Sequence, residues 1–288
     1  MPTVSVIIPA YNAEPFVRDT VLSALNQTYT DLEVIVVDDG SKDGTVARLS
    51  EFGDRIRVHQ QTNSGVSKAR NAGVQLARGE WVAFLDADDL WAPNKLERQF
   101  AGLVAPMVYT NRTNIGARGD IPELQSECTP MEGGDLFVPL LLRGNFITLT
   151  TVMLKKELFE RMNGFYSGLN GTEDWDLWLR IAESNPIAYC PEPLAQYRFH
   201  PAGLSRNYQR MNEERTFVTA RALALARGRG LSWKTRRQIW AGTWYTNGSA
   251  AGRAGARTDA LLGFARAVGS WPLNADFYKE ALKVFVNV

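Results

Sequence analysis

An α/β fold with a mainly parallel central sheet is predicted by three features of this 288-residue sequence. Short β-branched runs alternate with segments of helical periodicity over the first hundred residues. Most of those runs are largely apolar, as strands covered by helices on both faces are. Two acidic clusters follow directly on such runs, at the carboxyl ends where sheets of this kind bind ligands.

The elements can be taken in order. Residues 4–8 (Val-Ser-Val-Ile-Ile) read as a buried strand ended by Pro9. Pro15 suits a first helical turn, and Val17, Val21, Ala24, Leu25 and Thr28 then recur at helical spacing. Residues 32–37 form a second strand, stopped by the turn signal Asp38-Asp39-Gly40-Ser41. A short helix is expected over 45–52, a third strand over 56–59, and a helix over 66–77 closed by Arg78-Gly79. A fourth strand over 81–85 runs into Asp86-Ala87-Asp88-Asp89. The middle is less regular. It reads as a strand over 107–110, a polar loop over 111–130, a Thr- and Ile-rich strand over 146–154, a turn at Asn163-Gly164-Phe165, a Gly-rich loop over 167–172 and a helix over 174–183. Beyond residue 204, Ala, Arg and Leu at helical spacing indicate three or four helices. Trp240, Trp244, Tyr245 and Ala251, then Ala260, Leu261, Phe264 and Ala265, form one helical hairpin. The expected organisation is a domain over 1–205 and a helical extension over 206–288.

Composition bounds the function. Hydrophobic residues are 45% and charged residues 22%, ordinary for a soluble globular chain, and the length suffices for a large core. A net charge of +1 gives no electrostatic case for nucleic acid. Two cysteines, Cys128 and Cys190, fit no motif and argue for a reducing compartment. No signal peptide is legible, and no apolar run reaches the roughly 18 residues of a membrane span. A soluble, cytoplasmic protein is expected, with a peripheral contact at the inner face of the membrane left open.

Several residues carry candidate chemistry. The Asp86-Ala87-Asp88-Asp89 run places carboxylates two apart just past a strand end, facing one pocket. Such hard oxygen donors suit magnesium or manganese beside substrate phosphates; a solvated acidic turn is the plainer reading. Asp39 can accept from a base N–H or a ribose hydroxyl, whereas a capping role fits Asp38. In Pro9-Ala10-Tyr11-Asn12, the ring can stack on a base, though a simple connector explains the segment as well. Arg70 can reach a phosphate or base carbonyl, although helical arginines are commonly just solvated. Within Thr172-Glu173-Asp174-Trp175-Asp176, a carboxylate at a helix start is placed to take a proton from an acceptor hydroxyl. Helix capping explains the acids equally, but not the tryptophans beside them, which either stack on sugars or belong to the core. His200 is a metal or phosphate ligand or a structural histidine.

Taken together, Val6 to Asn12, Val36 to Ser41, Gly65 to Gly73, Phe84 to Asp89, Asn163 to Phe165, Glu173 to Trp178 and Tyr197 to His200 resemble the family 2 glycosyltransferases. The resemblance covers roughly residues 3–205. It implies a GT-A fold and an inverting transfer of a sugar from a nucleotide-diphosphate donor, expected to be a UDP-sugar, to an acceptor hydroxyl. It implies that Asp39 binds the base beside Pro9, Ala10, Tyr11 and Asn12, that Asp86 touches the ribose next to Ala87, and that Arg70 lies near the nucleotide. Asp88, with His200, would hold Mn2+ or Mg2+. Asp174 would be the general base, with Glu173 and Trp175 in the acceptor and sugar pocket. A glycan or lipid-linked acceptor and a bacterial polysaccharide product follow by analogy. The alternative is a catalytically inactive nucleotide-sugar binding protein, against which Asp86, Asp88 and Asp174 together argue. A nucleotidyltransferase would want a Gly-rich basic loop after the first strand, and a dehydrogenase G-x-G-x-x-G there; neither is present. Residues 206–288 lie outside the resemblance and have three roles open to them: shaping the acceptor site, a homodimer contact, or a membrane contact. Residues 277–288 have apolar positions at helical spacing beside Lys279 and Lys283, as a lipid-surface helix would, with a packed terminal helix the plainer expectation.

Overall fold

The computed structural model describes residues 2–116, 123–127, 131–199 and 207–286, the last four as helical backbone. The first half follows the expected alternation: β1 (Val4–Ala10), α1 (Val17–Leu25), β2 (Leu32–Asp38), α2 (Thr45–Ser50), β3 (Arg57–Gln60), α3 (Val66–Leu76) and β4 (Trp81–Phe84). These strands pair in parallel in the order β3-β2-β1-β4. Every residue of β1 and β4 is buried. Side chains alternate between two cores, with Val6 and Ile8 in one and Ile7 in the other. Pro9 does not end β1, which continues to Ala10. Pairing with β4 stops at Ile7, while pairing with β2 runs on to Ala10 opposite Asp38, so Pro9 lies past the stretch held from both sides.

The second half adds β5 (Leu90–Trp91), α4 (Lys95–Ala101), β6 (Met107–Ile115), α5 (Phe137–Arg143), β7 (Met153–Lys155), α6 (Lys156–Arg161), α7 (Glu173–Ala182) and β8 (Ala188–Arg198). The eight-stranded sheet runs β3-β2-β1-β4-β7-β6-β8-β5. It is parallel through its first four strands and mixed beyond, since β7 is antiparallel to β4 and β6 and β5 is antiparallel to β8. Two expectations are corrected. Residues 111–115 belong to β6 rather than to a loop, because the strand pairs with β8 through register shifts at Asn111 that carry polar residues into the sheet. Residues 146–154 are not a continuous strand but a 3-10 turn over Leu149–Thr151 followed by β7. There the Thr150 and Thr151 carbonyls accept from Trp91 Nε1 (2.7 Å) and Gln99 Nε2 (2.9 Å) instead of from a ladder.

The C-terminal part is helical: α8 (Tyr208–Ala224), the five-residue α9 (Ala226–Gly230), α10 (Trp233–Arg253), α11 (Arg257–Ser270) and α12 (Ala275–Val286). The α10–α11 hairpin closes on two glycines. A Cβ on Gly263 would stand 2.6 Å from the Gly248 Cα, so that crossing depends on the missing side chains. Val218, Ala222, Leu223 and Ile239 join the same core as Trp178 and Phe84. The extension is therefore packed on the α/β part, each fully buried large side chain contributing about 1.5–3 kcal/mol.

Candidate active site

Pro9, Ala10, Tyr11, Asn12, Asp39, Arg70, Asp86, Ala87, Asp88, Glu173, Asp174 and Trp175, which the sequence assigns to separate motifs, all line one cavity of about 1940 Å³. His200 lies outside the described residues.

The carboxyl ends of β1 and β2 form one wall. Asn12 takes the left-handed conformation (φ 50°) that asparagine tolerates. Its backbone N–H donates to Ser41 Oγ (2.9 Å) and its Oδ1 accepts from the Lys42 N–H (2.8 Å). This turn leaves the Tyr11 ring 48% exposed on the cavity. Asp39 is buried and accepts from the Ser64 N–H (2.9 Å), the Gly65 N–H (2.8 Å) and Gln61 Nε2 (2.7 Å), tying the end of β2 to the start of α3. Gly65 has φ 93°, a left-handed conformation that favours glycine, and it lies against the Asn170 side chain of the Gly-rich loop. Asp38 accepts from the Ser41 N–H at 3.3 Å and so closes the 38–41 turn; it does not cap α2, whose N-cap is Gly44.

Arg70 joins the two sides of the cavity. It is buried, and its guanidinium donates to Asp86 Oδ1 (2.6 Å) and to Glu173 Oε1 (2.5 Å). Burial disfavours its charge, but Asp86 and Glu173 outweigh burial and hold its pKa above the ordinary value. Burial pushes Glu173 upward, against the pull of Arg70. The neighbouring Asp174 is half-buried on the cavity wall at the start of α7, where a carboxylate is favoured by the helix dipole. Its Oδ1 accepts from the Trp175 N–H (2.7 Å) and its Oδ2 from Asn145 Nδ2 (2.8 Å). Burial first, and the charge of Glu173 second, push the Asp174 carboxyl up to about 7 against these donors. Such a carboxyl is poised to exchange a proton near neutrality. The indole of Trp175 offers no stacking face for a sugar. It is 3% exposed, with Nε1 donating to the Leu140 carbonyl (3.1 Å), and Trp178 is likewise core.

Asp86 and Asp88 are half-buried at the cavity, and Asp89 is fully buried behind them. Burial, then the charges of Asp88 and Asp86, raise the Asp89 carboxyl well above the usual range. Its Oδ1 accepts from the Arg198 N–H (2.8 Å), while Arg198 Nε donates to the Asp88 carbonyl (2.8 Å), so the end of β8 is fastened to the acidic turn. Among the described residues no group of three or more His, Cys, Asp and Glu gathers around a common point as a complete ion site. The donors present are one or two hard carboxylates at an open cavity, a set that suits a cation completed by substrate phosphates.

Sequence reasoning missed three contributors. Asn145 orients Asp174, and the Gly144-Asn145 pair was the local signal for a turn there. Glu214, on α8, accepts from the Asn170 N–H (3.1 Å), the Thr172 N–H (3.0 Å) and Thr172 Oγ1 (3.1 Å), fixing the loop before α7; nothing local marks it. Arg215 lines the cavity from α8 and donates to Asn212 and Asn247 (2.9 and 2.6 Å), with no carboxylate among the described residues paired to it. Burial and the nearby Arg253 lower it to about 10.

A family model described as Glycosyl transferase family 2 matches residues 5–161, which hold β1 to β7 and the acidic turn. The chain belongs to this family. It is 33% identical over 212 residues to the UDP-Glc:alpha-D-GlcNAc-diphosphoundecaprenol beta-1,3-glucosyltransferase WfgD of Escherichia coli, covering 71% of this chain and 80% of that one. It is 32% identical over 227 residues to the putative teichuronic acid biosynthesis glycosyltransferase TuaG of Bacillus subtilis, covering 75% of this chain and 87% of that one. It spans about a third of the length of other relatives, uncharacterized glycosyltransferases of Rickettsia species that are 33% identical to it. Among solved structures, S. aureus TarS 1–349 superposes with TM-score 0.69 at 19% identity, over 99% of this chain and 89% of that one, and has been crystallised with UDP and with UDP-GlcNAc. The mannosyltransferase PcManGT of Pyrobaculum calidifontis, in complex with GDP-Man and Mn2+, superposes with TM-score 0.56 at 20% identity, over 99% of this chain and 84% of that one. This member of family 2 thus has the GT-A-type fold expected of it, and its relatives include proteins named for polysaccharide and glycan synthesis.

Proposed function

We propose that this glycosyltransferase moves a sugar, with inversion, from a UDP-sugar to a hydroxyl of a lipid-linked or free glycan in bacterial polysaccharide synthesis. The observation that carries the reading is the single cavity joining Asp39, Asp86 and Asp88 on the sheet side to Asp174 on the helix side. Tyr11 and Asp39 receive the base, and Asp86, beside Ala87, takes the ribose. Arg70 locks Asp86 to Glu173 and so holds the nucleotide side and the acceptor side in register. Asp174 takes the proton of the acceptor hydroxyl as its oxygen attacks the anomeric carbon from the face opposite the diphosphate; the bond from that carbon to the diphosphate breaks. Asn145 and the Trp175 N–H keep the carboxylate oriented for that transfer. Asp88 would hold a divalent cation, Mn2+ or Mg2+, which when bound neutralises the departing diphosphate. Support for the donor class comes from the UDP-sugar named for the E. coli relative and from the UDP complexes of TarS. Arg215, which lines the cavity from α8 and has no carboxylate among the described residues paired to it, supports an acceptor that carries negative charge, as a diphosphate-linked lipid does.

Titration calorimetry with UDP-, GDP- and dTDP-sugars, with and without manganese, tests the reading. Binding of a UDP-sugar that strengthens with manganese, and loses that strengthening in Asp88→Ala, is expected. No heat from any donor with the folded protein contradicts it.

A further inference from the structure

The two parts of the chain are oppositely charged. Residues 207–288 hold 13 Lys and Arg against 5 Asp and Glu, net +8; residues 1–206 hold 19 against 26, net −7. The basic part also exposes large apolar side chains: Leu273 is 83% exposed, Trp233 70%, Leu282 63% and Tyr278 48%. Contacts gather these residues at one tip. Arg237 lies over the Trp233 ring (4.8 Å) and donates to the carbonyls of Gly269 and Ser270 at the end of α11 (2.6 Å each). Lys234 lies over the Trp271 ring (5.8 Å), and Tyr278 Oη donates to the Pro272 carbonyl (3.1 Å). Leu282 follows Tyr278 by one turn of α12 and so shares its face. The start of α10, the end of α11 and the turn into α12 therefore form one surface of Trp, Tyr and Leu interleaved with Lys234, Arg237 and Lys279, the last also paired to Asp276 at 3.3 Å.

We propose that this tip docks on an anionic lipid bilayer. Aromatic rings with polar edges, exposed leucines and snorkelling cations are the side chains that settle at a headgroup boundary. A net charge of +8 is attracted to anionic lipid, while the −7 of the catalytic part is repelled, which orients the molecule tip-down. Among the described residues no helix is long and apolar enough to cross a membrane, so the contact lies at the surface. The tip also adjoins the cavity. Trp271, Asn274, Asp276 and Phe277 of the same turn line it, while Leu273 and Tyr278 face out. Docking sets the cavity mouth at headgroup level, where a lipid-linked acceptor presents its hydroxyl. That last consequence rests on the transferase reading; the docking itself does not.

The test is flotation of the full chain with phosphatidylcholine vesicles, with and without phosphatidylglycerol, alongside circular dichroism and the mass in solution. The protein is expected to float with the anionic vesicles and to be released by salt. Partition should fall about 10-fold or more in Trp233→Glu/Leu273→Glu and similarly in Lys234→Glu/Lys279→Glu, each lysine near the surface being worth several-fold. Asp174→Asn should float as the parent does, so a failed donor titration leaves the vesicle result standing. Absence of partition by the folded parent, or unchanged partition of both folded double variants, overturns the proposal. A dimer that Trp233→Glu/Leu273→Glu splits, without vesicle binding, overturns it in favour of a second copy of the chain.

Discussion

The sheet side and the helix side of the cavity hold their carboxylates by different means. On the sheet side, Asp39, Asp86 and Asp88 follow strands whose register is fixed by parallel pairing and whose carboxyl ends are buried, and Asp39 is tied to residues 61–65 by four hydrogen bonds. On the helix side, Asp174 depends on Asn145, 29 residues earlier, and on a loop fastened by Glu214 from α8, about 40 residues later. The first arrangement comes with the sheet. The second is assembled from distant parts, so it can be altered piece by piece while the sheet stays intact.

Arg70 is the one described side chain that ion-pairs with a carboxylate from each side, so removing it should have the largest effect on stability. Arg70→Ala strands two carboxylates, Glu173 buried and Asp86 half-buried, and should cost about 3–5 kcal/mol in denaturant unfolding. A loss below about 1 kcal/mol would mean the two sides are not coupled through it. Glu214→Ala tests whether α8 belongs to the site. It leaves the Asn170 and Thr172 N–H groups without their acceptor, which should cost about 1–3 kcal/mol and raise the KM of the acceptor more than that of the donor. An equal rise for both substrates would separate Glu214 from the helix side. The smallest effect is a shift in pH profile. As the proposed base, Asp174 would act only when ionised, so turnover should rise with pH through about 7, where burial and Glu173 have moved the group. The Asn145 amide donates to the carboxylate and favours its ionised form, so Asn145→Ala should move the acid limb of the profile to higher pH. An unmoved limb would detach Asn145 from the base.

The same contrast explains what could be read in the sequence. The first four strands, and the acidic turns that end β2 and β4, were legible because buried β-branched runs and turn residues are local signals. The far end of β6 was not: Asn111, Arg112, Thr113 and Asn114 look like loop residues, and only pairing with β8, some eighty residues on, makes them strand. Residues 146–154 erred the other way, because Trp91 and Gln99 take the carbonyls that a strand composition would give to a neighbour. Trp175 sits beside Asp174 in sequence, yet α7 turns its indole into the core, where its N–H meets Leu140. Glu214 had no signal, since one of two adjacent acids on an exposed-looking helix reveals no partner 42 residues away.

The central claim is that Asp174 carries the proton transfer while the sheet side binds the donor. The direct measurement compares Asp174→Asn with the parent for donor binding by calorimetry and for single-turnover transfer. The account predicts unchanged donor affinity with transfer reduced about 10²–10⁴-fold. Transfer at the parent rate by the folded variant would contradict it.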